Sequence, residues 1–162
     1  MPQVNNIIRL LEAQKIAYTA FELPAEKLGA LETAQMLGVD PSRVFKTIVV
    51  TREKPGKPIL AVIPGNQEVD LKLLAQTTGD KKLHLPTERE AETITGLQAG
   101  GISPLALINR GFQTWVDQAA LAYGQIHISG GQRGLNIRLP VQALVSLTQA
   151  RTGAISRPIT GL

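Results

Sequence analysis

The chain has 162 residues, 43% hydrophobic and 19% charged, which suits one domain built around one sizeable core. It has no cysteine, so disulfide frameworks, thiolate zinc sites and cysteine nucleophiles are excluded. A net charge of +4 suits RNA or another phosphate-rich partner without demanding one, and there is no Lys/Arg run and no apolar stretch near the roughly 20 residues of a membrane span.

Met1–Asn5 lacks the basic start and apolar core of a signal peptide, so the cytoplasm is the expected location. Val4, Ile7, Ile8, Leu10 and Leu11 recur at helical spacing and predict an amphipathic helix over 4–14. Ile16 to Leu23 reads as a strand containing Tyr18 and Phe21. A helix over Ala30 to Leu37 stops at Gly38, and Asp40-Pro41 caps a short helical turn. Val44 to Val50 reads as a buried strand. The Lys54-Pro55-Gly56-Lys57 turn joins it to Ile59–Ile63 as an antiparallel hairpin.

Asp70 caps a helix through Thr77 that closes at Gly79, and Leu83 to Leu85 is a short strand. Thr87 caps a helix through Thr93, with Glu88 and Glu90 in its first turn where the dipole favours them. A glycine-rich loop follows, Gly96 to Pro104. Gln113–Asp117 and Gln125–Ser129 read as strands, Ser129–Gly134 as a second glycine-rich turn, Leu135–Leu139 as a strand and Val141–Thr148 as a final helix. The expected organisation is one domain over 1–150 and a flexible tail over 151–162. Hairpins interspersed with helices predict an α+β fold, a mixed and mostly antiparallel curved sheet flanked by helices.

Lys46 breaks the pattern of its strand. Alternation puts it with Val44, Ile48 and Val50, and the other face carries Phe45, Thr47 and Val49, so neither face looks wet. A lysine there either snorkels to the sheet edge or awaits an anionic ligand. The adjacent glycines at 100 and 101 suit close approach of backbone to a ligand, and equally a plain surface turn, with Pro104 stiffening the exit. In the second turn Ser129 and Arg133 could meet a ligand, or simply decorate a hairpin. Gly130-Gly131-Gln132 also matches the tripeptide of peptide-release factors, but three residues in a short turn carry no weight.

Hydrolytic machinery of the usual kinds is missing. His84 and His127 do not form a metal-ligand pair, and His127 reads as structural; Ser103 precedes a proline and stands in no nucleophile elbow. No metal or cofactor is expected. Any catalysis would rest on positioning and electrostatics.

Three segments then converge in order and spacing: Val44-Phe45-Lys46-Thr47, Gly100-Gly101-Ile102-Ser103-Pro104-Leu105, and Ser129-Gly130-Gly131-Gln132-Arg133-Gly134-Leu135. From the first helix to about Leu147, the chain resembles the YbaK/EbsC family of free-standing editing proteins, relatives of the editing domain of prolyl-tRNA synthetases. The resemblance implies that fold and deacylation of mischarged tRNA, most often cysteine on tRNA for proline. It implies Lys46 as the residue holding the tRNA end, with Gly100 and Gly101 offering backbone to the aminoacyl carbonyl. Phe21, Ser103, Pro104, Ser129, Gly130, Gly131 and Asn136 would line the substrate pocket. In cysteine-specific members the substrate's own thiol attacks its ester.

The chain departs from those members at Asn136, where they carry aspartate, and at Phe21, where they carry tyrosine. A lost carboxylate acceptor for the substrate ammonium costs about 1.5–3 kcal/mol. The implied partners are the acceptor end of mischarged tRNA and prolyl-tRNA synthetase, with no membrane and no DNA. Two other classes stay open: a non-catalytic tRNA- or nucleotide-binding regulator that keeps the pocket, and a small-molecule ester hydrolase.

Overall fold

The computed structural model describes residues 5–160. Helix α1 (Asn6–Ala13) buries Ile7, Ile8 and Leu11; Val4 lies outside the described residues. Asn5 caps the helix by accepting from the Ile8 N–H, and its amide donates to the Gly130 carbonyl, so the cap also fastens α1 to the second glycine turn. Strand β1 (Thr19–Glu22) leads through a loop to α2 (Ala30–Leu37), which ends at Gly38 in the left-handed conformation (φ 69°). Asp40 then caps a turn of 3₁₀ helix at Pro41–Arg43.

Strands β2 (Phe45–Arg52) and β3 (Ile59–Pro64) form the expected antiparallel hairpin. After β4 (Gln67–Val69) come α3 (Leu71–Thr78), β5 (Leu83–His84) and α4 (Glu88–Thr95). Thr87 and Glu90 exchange hydrogen bonds with each other's backbone at the start of α4, a reciprocal cap. Strands β6 (Gln113–Asp117), β7 (Gln125–Ser129) and β8 (Leu135–Pro140) precede α5 (Val141–Thr148).

The strands form three ladders. A mixed five-stranded sheet runs β5-β2-β3-β6, completed by a ninth strand β9 (Arg151–Gly153); β3, β6 and β9 are parallel and the rest antiparallel. A three-stranded antiparallel sheet runs β1-β8-β7 and meets the first sheet at the Val44–His127 bridge. The third ladder pairs β4 with β10 (Ser156–Pro158). Every residue of β3 is buried. One apolar cluster joins α1, β7, β8 and α5 through Phe45, Val62 and Val116. Another, on the opposite face of the main sheet, gathers Val50, Ile63, Leu74, Trp115 and Ile155.

The flexible tail expected over 151–162 is corrected across 151–158. Ile155 is wholly buried, and Asp117 accepts from its N–H (3.2 Å) and from the Ser156 hydroxyl (2.7 Å). Segments of three residues are too short to show alternation, so nothing in the sequence marked them as strands.

Candidate functional site

The outer edge of β2 is uncovered over most of its length. β5 pairs with β2 only at Thr51 and Arg52, and the bridge to β7 lies at Val44. Against this open edge lies a cleft of about 380 Å³, walled by Val44 and by β2 as far as Val49, by the 23–33 segment, by the start of α4, by Ala99, Gly100 and Ile102, and by Ser129, Gly134, Leu135 and Asn136. A strand edge offers backbone donors and acceptors, so this wall is polar as well as apolar.

Lys46 stands at the cleft, half-buried. Its ammonium donates to the Gly65 carbonyl at 3.3 Å and has no carboxylate within ion-pair distance among the described residues. Burial pushes its pKa below the usual lysine range, and Glu68 nearby offsets this only in part. It is a cation held with unspent donors, the arrangement that an incoming anion completes. The edge-snorkelling and ligand-waiting readings therefore describe one geometry, because the cleft lies along the edge.

The two glycine segments do pack together, but as scaffold. Arg133 donates from Nε to the Ala99 carbonyl at 2.7 Å, which leaves that guanidinium nitrogen engaged within the protein. A Cβ at Gly101 would fall 2.9 Å from the Gln132 Cα and 3.1 Å from the Arg133 backbone nitrogen, so only glycine lets the loops touch. The Gly101 N–H is spent on the Gln98 carbonyl at 2.8 Å, and Gly101 does not line the cleft. Its expected contact with an aminoacyl carbonyl is corrected accordingly. Gly100 does reach the wall, in the left-handed region (φ 87°), and its N–H has no acceptor among the described residues.

The other expected pocket residues divide. Ser129 and Asn136 line the cleft. The Ser129 hydroxyl oxygen accepts from the Gly131 N–H at 3.2 Å, leaving its own proton to donate. Asn136 is buried and accepts through Oδ1 from His127 Nδ1 at 2.8 Å. Burial pushes His127 below the usual histidine range, and its bond to Asn136 acts the other way; Arg138 and Arg43 push it lower still. The imidazole is thus neutral and structural at neutral pH.

Ser103, Pro104, Gly130, Gly131 and Phe21 are absent from the cleft wall. Ser103 is wholly buried and caps the 3₁₀ turn at Pro104–Leu107 by accepting from the Leu105 N–H. Gly130 donates to the Leu135 carbonyl at 2.8 Å, closing the β7–β8 turn. Phe21 packs its ring on His127, 5.4 Å between centroids, beneath the Arg138 guanidinium. It supports Asn136, its cross-strand partner, from outside the cleft.

The sequence does not mark the 23–33 segment as part of the site. Glu26, Leu28, Gly29, Ala30 and Thr33 form one whole side of the cleft. Their only local signal is the break between Pro24 and Gly29, which reads as a connection. Among the described residues no group of three His, Asp or Glu side chains is placed to hold a metal ion, and no helix is long and apolar enough to cross a membrane.

Comparison with known proteins follows the same outline. A family model described as the aminoacyl-tRNA editing domain matches residues 26–147. EbsC of Enterococcus faecalis, provisionally named a Cys-tRNA(Pro)/Cys-tRNA(Cys) deacylase, is 38% identical over 156 residues, 95% of this chain and 94% of that one. A proline–tRNA ligase of Thermodesulfovibrio yellowstonii is 32% identical over 80 residues, 49% of this chain and 14% of the ligase. A solved structure described provisionally as a trans-editing enzyme for prolyl tRNA synthetase superposes with a TM-score of 0.78 at 25% identity, covering 96% of this chain and 99% of that one. The crystal structure of the hypothetical protein APE2540, at 23% identity and a TM-score of 0.85 over 94% of this chain and 100% of that one, shares the fold. With a family match over most of its length and a relative aligned almost end to end, the chain belongs to the aminoacyl-tRNA editing domain family.

Proposed function

We propose that this protein is an aminoacyl-tRNA deacylase that clears a small amino acid, cysteine foremost, from the acceptor end of mischarged tRNA. The observation that carries the reading is Lys46, an ammonium without a carboxylate partner among the described residues, on the wall of a cleft in a chain 38% identical to a protein named as such a deacylase. Lys46 meets the ribose end of the acceptor, beside the ester. The Gly100 N–H faces the ester carbonyl, where a preorganised donor stabilises charge that develops on oxygen. Ser129 and Asn136 contact the amino acid. The cleft wall includes no histidine, and the carboxylates on it, Glu26 and Glu88, are exposed. In this reading the nucleophile is water, or the thiol of an esterified cysteine, with the ribose hydroxyl as leaving group. Prolyl-tRNA synthetase is the proposed companion, since a segment of this chain matches proline–tRNA ligases, and the cytoplasm the proposed location.

The test is a panel of tRNAs charged with cysteine, alanine and serine, incubated with wild type and Lys46→Ala. Wild type should release at least one amino acid. The variant should lose about 10- to 100-fold in kcat/KM, the worth of a charged hydrogen bond, with an unchanged circular dichroism spectrum. No release from any tRNA, alongside binding of uncharged tRNA, would make the protein a non-catalytic binder. Near-normal turnover by the variant would remove Lys46 from the site.

A further inference from the structure

We propose that a second cavity, on the opposite face of β2 from Thr47, seats the terminal ribonucleotide of the acceptor end, with Lys72 and Arg157 meeting its 5′-phosphate and Glu68 reading a ribose hydroxyl. This rests on the deacylase reading for the identity of the polymer. The cavity encloses about 300 Å³, at the small end of ligand sites and suited to one nucleotide.

The two cavities share three residues, Lys46, Ile48 and Leu85. Phe45, Thr47 and Val49 face the cleft side of β2. Ile48 and Val50 pack with the cluster on the other side, toward β4 and α3. Between them runs the uncovered edge of β2. A chain molecule that lies across this edge has its ester beside Lys46, its amino acid in the cleft and its nucleotide in the second cavity.

The lining of that cavity fits a nucleotide part by part. Ile48, Leu71 and Leu85 give apolar surface for a base, and Leu85 is 56% exposed, so its side chain is open to a stacking ring. Lys72 is exposed and has no carboxylate within ion-pair distance among the described residues. Arg157 gives only Nε to Glu68, at 3.1 Å, and this pair is solvent-exposed, so it competes weakly with a phosphate. Glu68 keeps its second oxygen. A carboxylate at that place accepts from a ribose hydroxyl, which separates RNA ends from DNA ends. Arg157 lies beyond the residues matched by the family model, on β10, so the strand pair at the C-terminal side brings its own cation to the site.

The experiment uses the full chain in three arms. First, adenosine 5′-monophosphate and its 2′-deoxy analogue are titrated into the ¹⁵N-labelled protein, with no turnover involved. The ribonucleotide should shift the amides of residues 68–72 and 157 and bind several-fold tighter than the deoxy form, and Glu68→Gln should narrow that preference. Second, Lys72→Ala and Arg157→Ala should each raise KM for charged tRNA about 3- to 10-fold, and each should reduce the slope of log affinity against log salt by about 1. Third, KM for an aminoacyl-adenosine that lacks the 5′-phosphate should stay put in both variants.

Nucleotide shifts in these residues without any deacylation would leave the cavity assignment standing and overturn the enzymatic reading. Deacylation with unaltered KM for tRNA in both variants would overturn the cavity assignment. Shifts with the mononucleotide but no effect on tRNA would mark a free-nucleotide site and overturn the acceptor-end placement.

Discussion

Lys46 is costly where it stands. Its ammonium gives up hydration for a single carbonyl contact, and burial lowers its pKa against the partial offset of Glu68. The unfolded chain therefore holds this proton more tightly than the folded one. By linkage, stability rises as pH climbs from the folded pKa to the ordinary lysine value, and the cost is fully present below the folded pKa. Lys46→Met, which keeps the stem and drops the charge, should stabilise the protein by about 1 kcal/mol, or about 2–4 °C in Tm, while deacylation falls. Thermal melts at pH 7 beside the tRNA assay check this; a variant that loses both stability and activity would mean that Lys46 is structural. Wild-type turnover, corrected for alkaline ester hydrolysis, should decline as pH rises through the depressed Lys46 pKa, short of the range of a free lysine. This residue was legible from alternation alone, because charge in a strand covered on both faces contradicts its surroundings. His127 was legible as structural for the same reason, but its bond to Asn136 was not, since it joins diagonal neighbours on paired strands.

At the scale of elements, the glycine segments were visible as composition and misleading as chemistry. Adjacent glycines permit close approach, but the sequence does not say to what. In the Gly96–Pro104 loop the partner of Gly101 is the second turn, and the residue on the cleft wall is Gly100. Gly101→Ala should therefore act through packing. Its Cβ would meet only backbone, at 2.9 to 3.1 Å, and backbone cannot rotate aside. The loops must separate, at about 1–3 kcal/mol. Separation also strains the 2.7 Å bond from Arg133 to the Ala99 carbonyl and displaces the neighbouring Gly100 amide, so kcat should fall up to about 100-fold. Urea melts and single-turnover deacylation of the same preparation separate the two losses. Wild-type stability with lost activity would return Gly101 to direct contact with substrate. Helices, by contrast, were readable nearly to the residue: α2 stops before Gly38 and α3 starts after its cap Asp70 because caps and left-handed glycines are local chemistry.

For the whole molecule, the sequence carries the α+β class but not the division into three ladders, since strand pairing joins residues far apart in the chain. β10 pairs with β4, and β9 extends the sheet beside β6, although neither segment has a pattern of its own. A second long-range tie, equally silent in sequence, holds the far end of β2. Asp80, just beyond α3, is buried and takes bidentate hydrogen bonds from Arg52, a bond from the Thr78 hydroxyl at 2.6 Å and an ion pair from Lys54 at 3.0 Å. Burial disfavours its charge, but the bonds from Arg52, Thr78 and Lys54 outweigh burial and hold the carboxyl at about 2. The folded pKa is depressed, so this stabilisation is complete above the unfolded carboxylate pKa and drains away as pH falls through about 2. The difference is worth about 2 kcal/mol at neutral pH. Asp80→Asn should lose that much, and more to the extent that the Arg52 guanidinium, largely buried, is left unpaired. In wild type, the urea midpoint should fall between about pH 4 and pH 2, whereas the variant should start lower and lose less over the same interval. Parallel curves for the two proteins would show that Asp80 does not carry the acid limit of the fold.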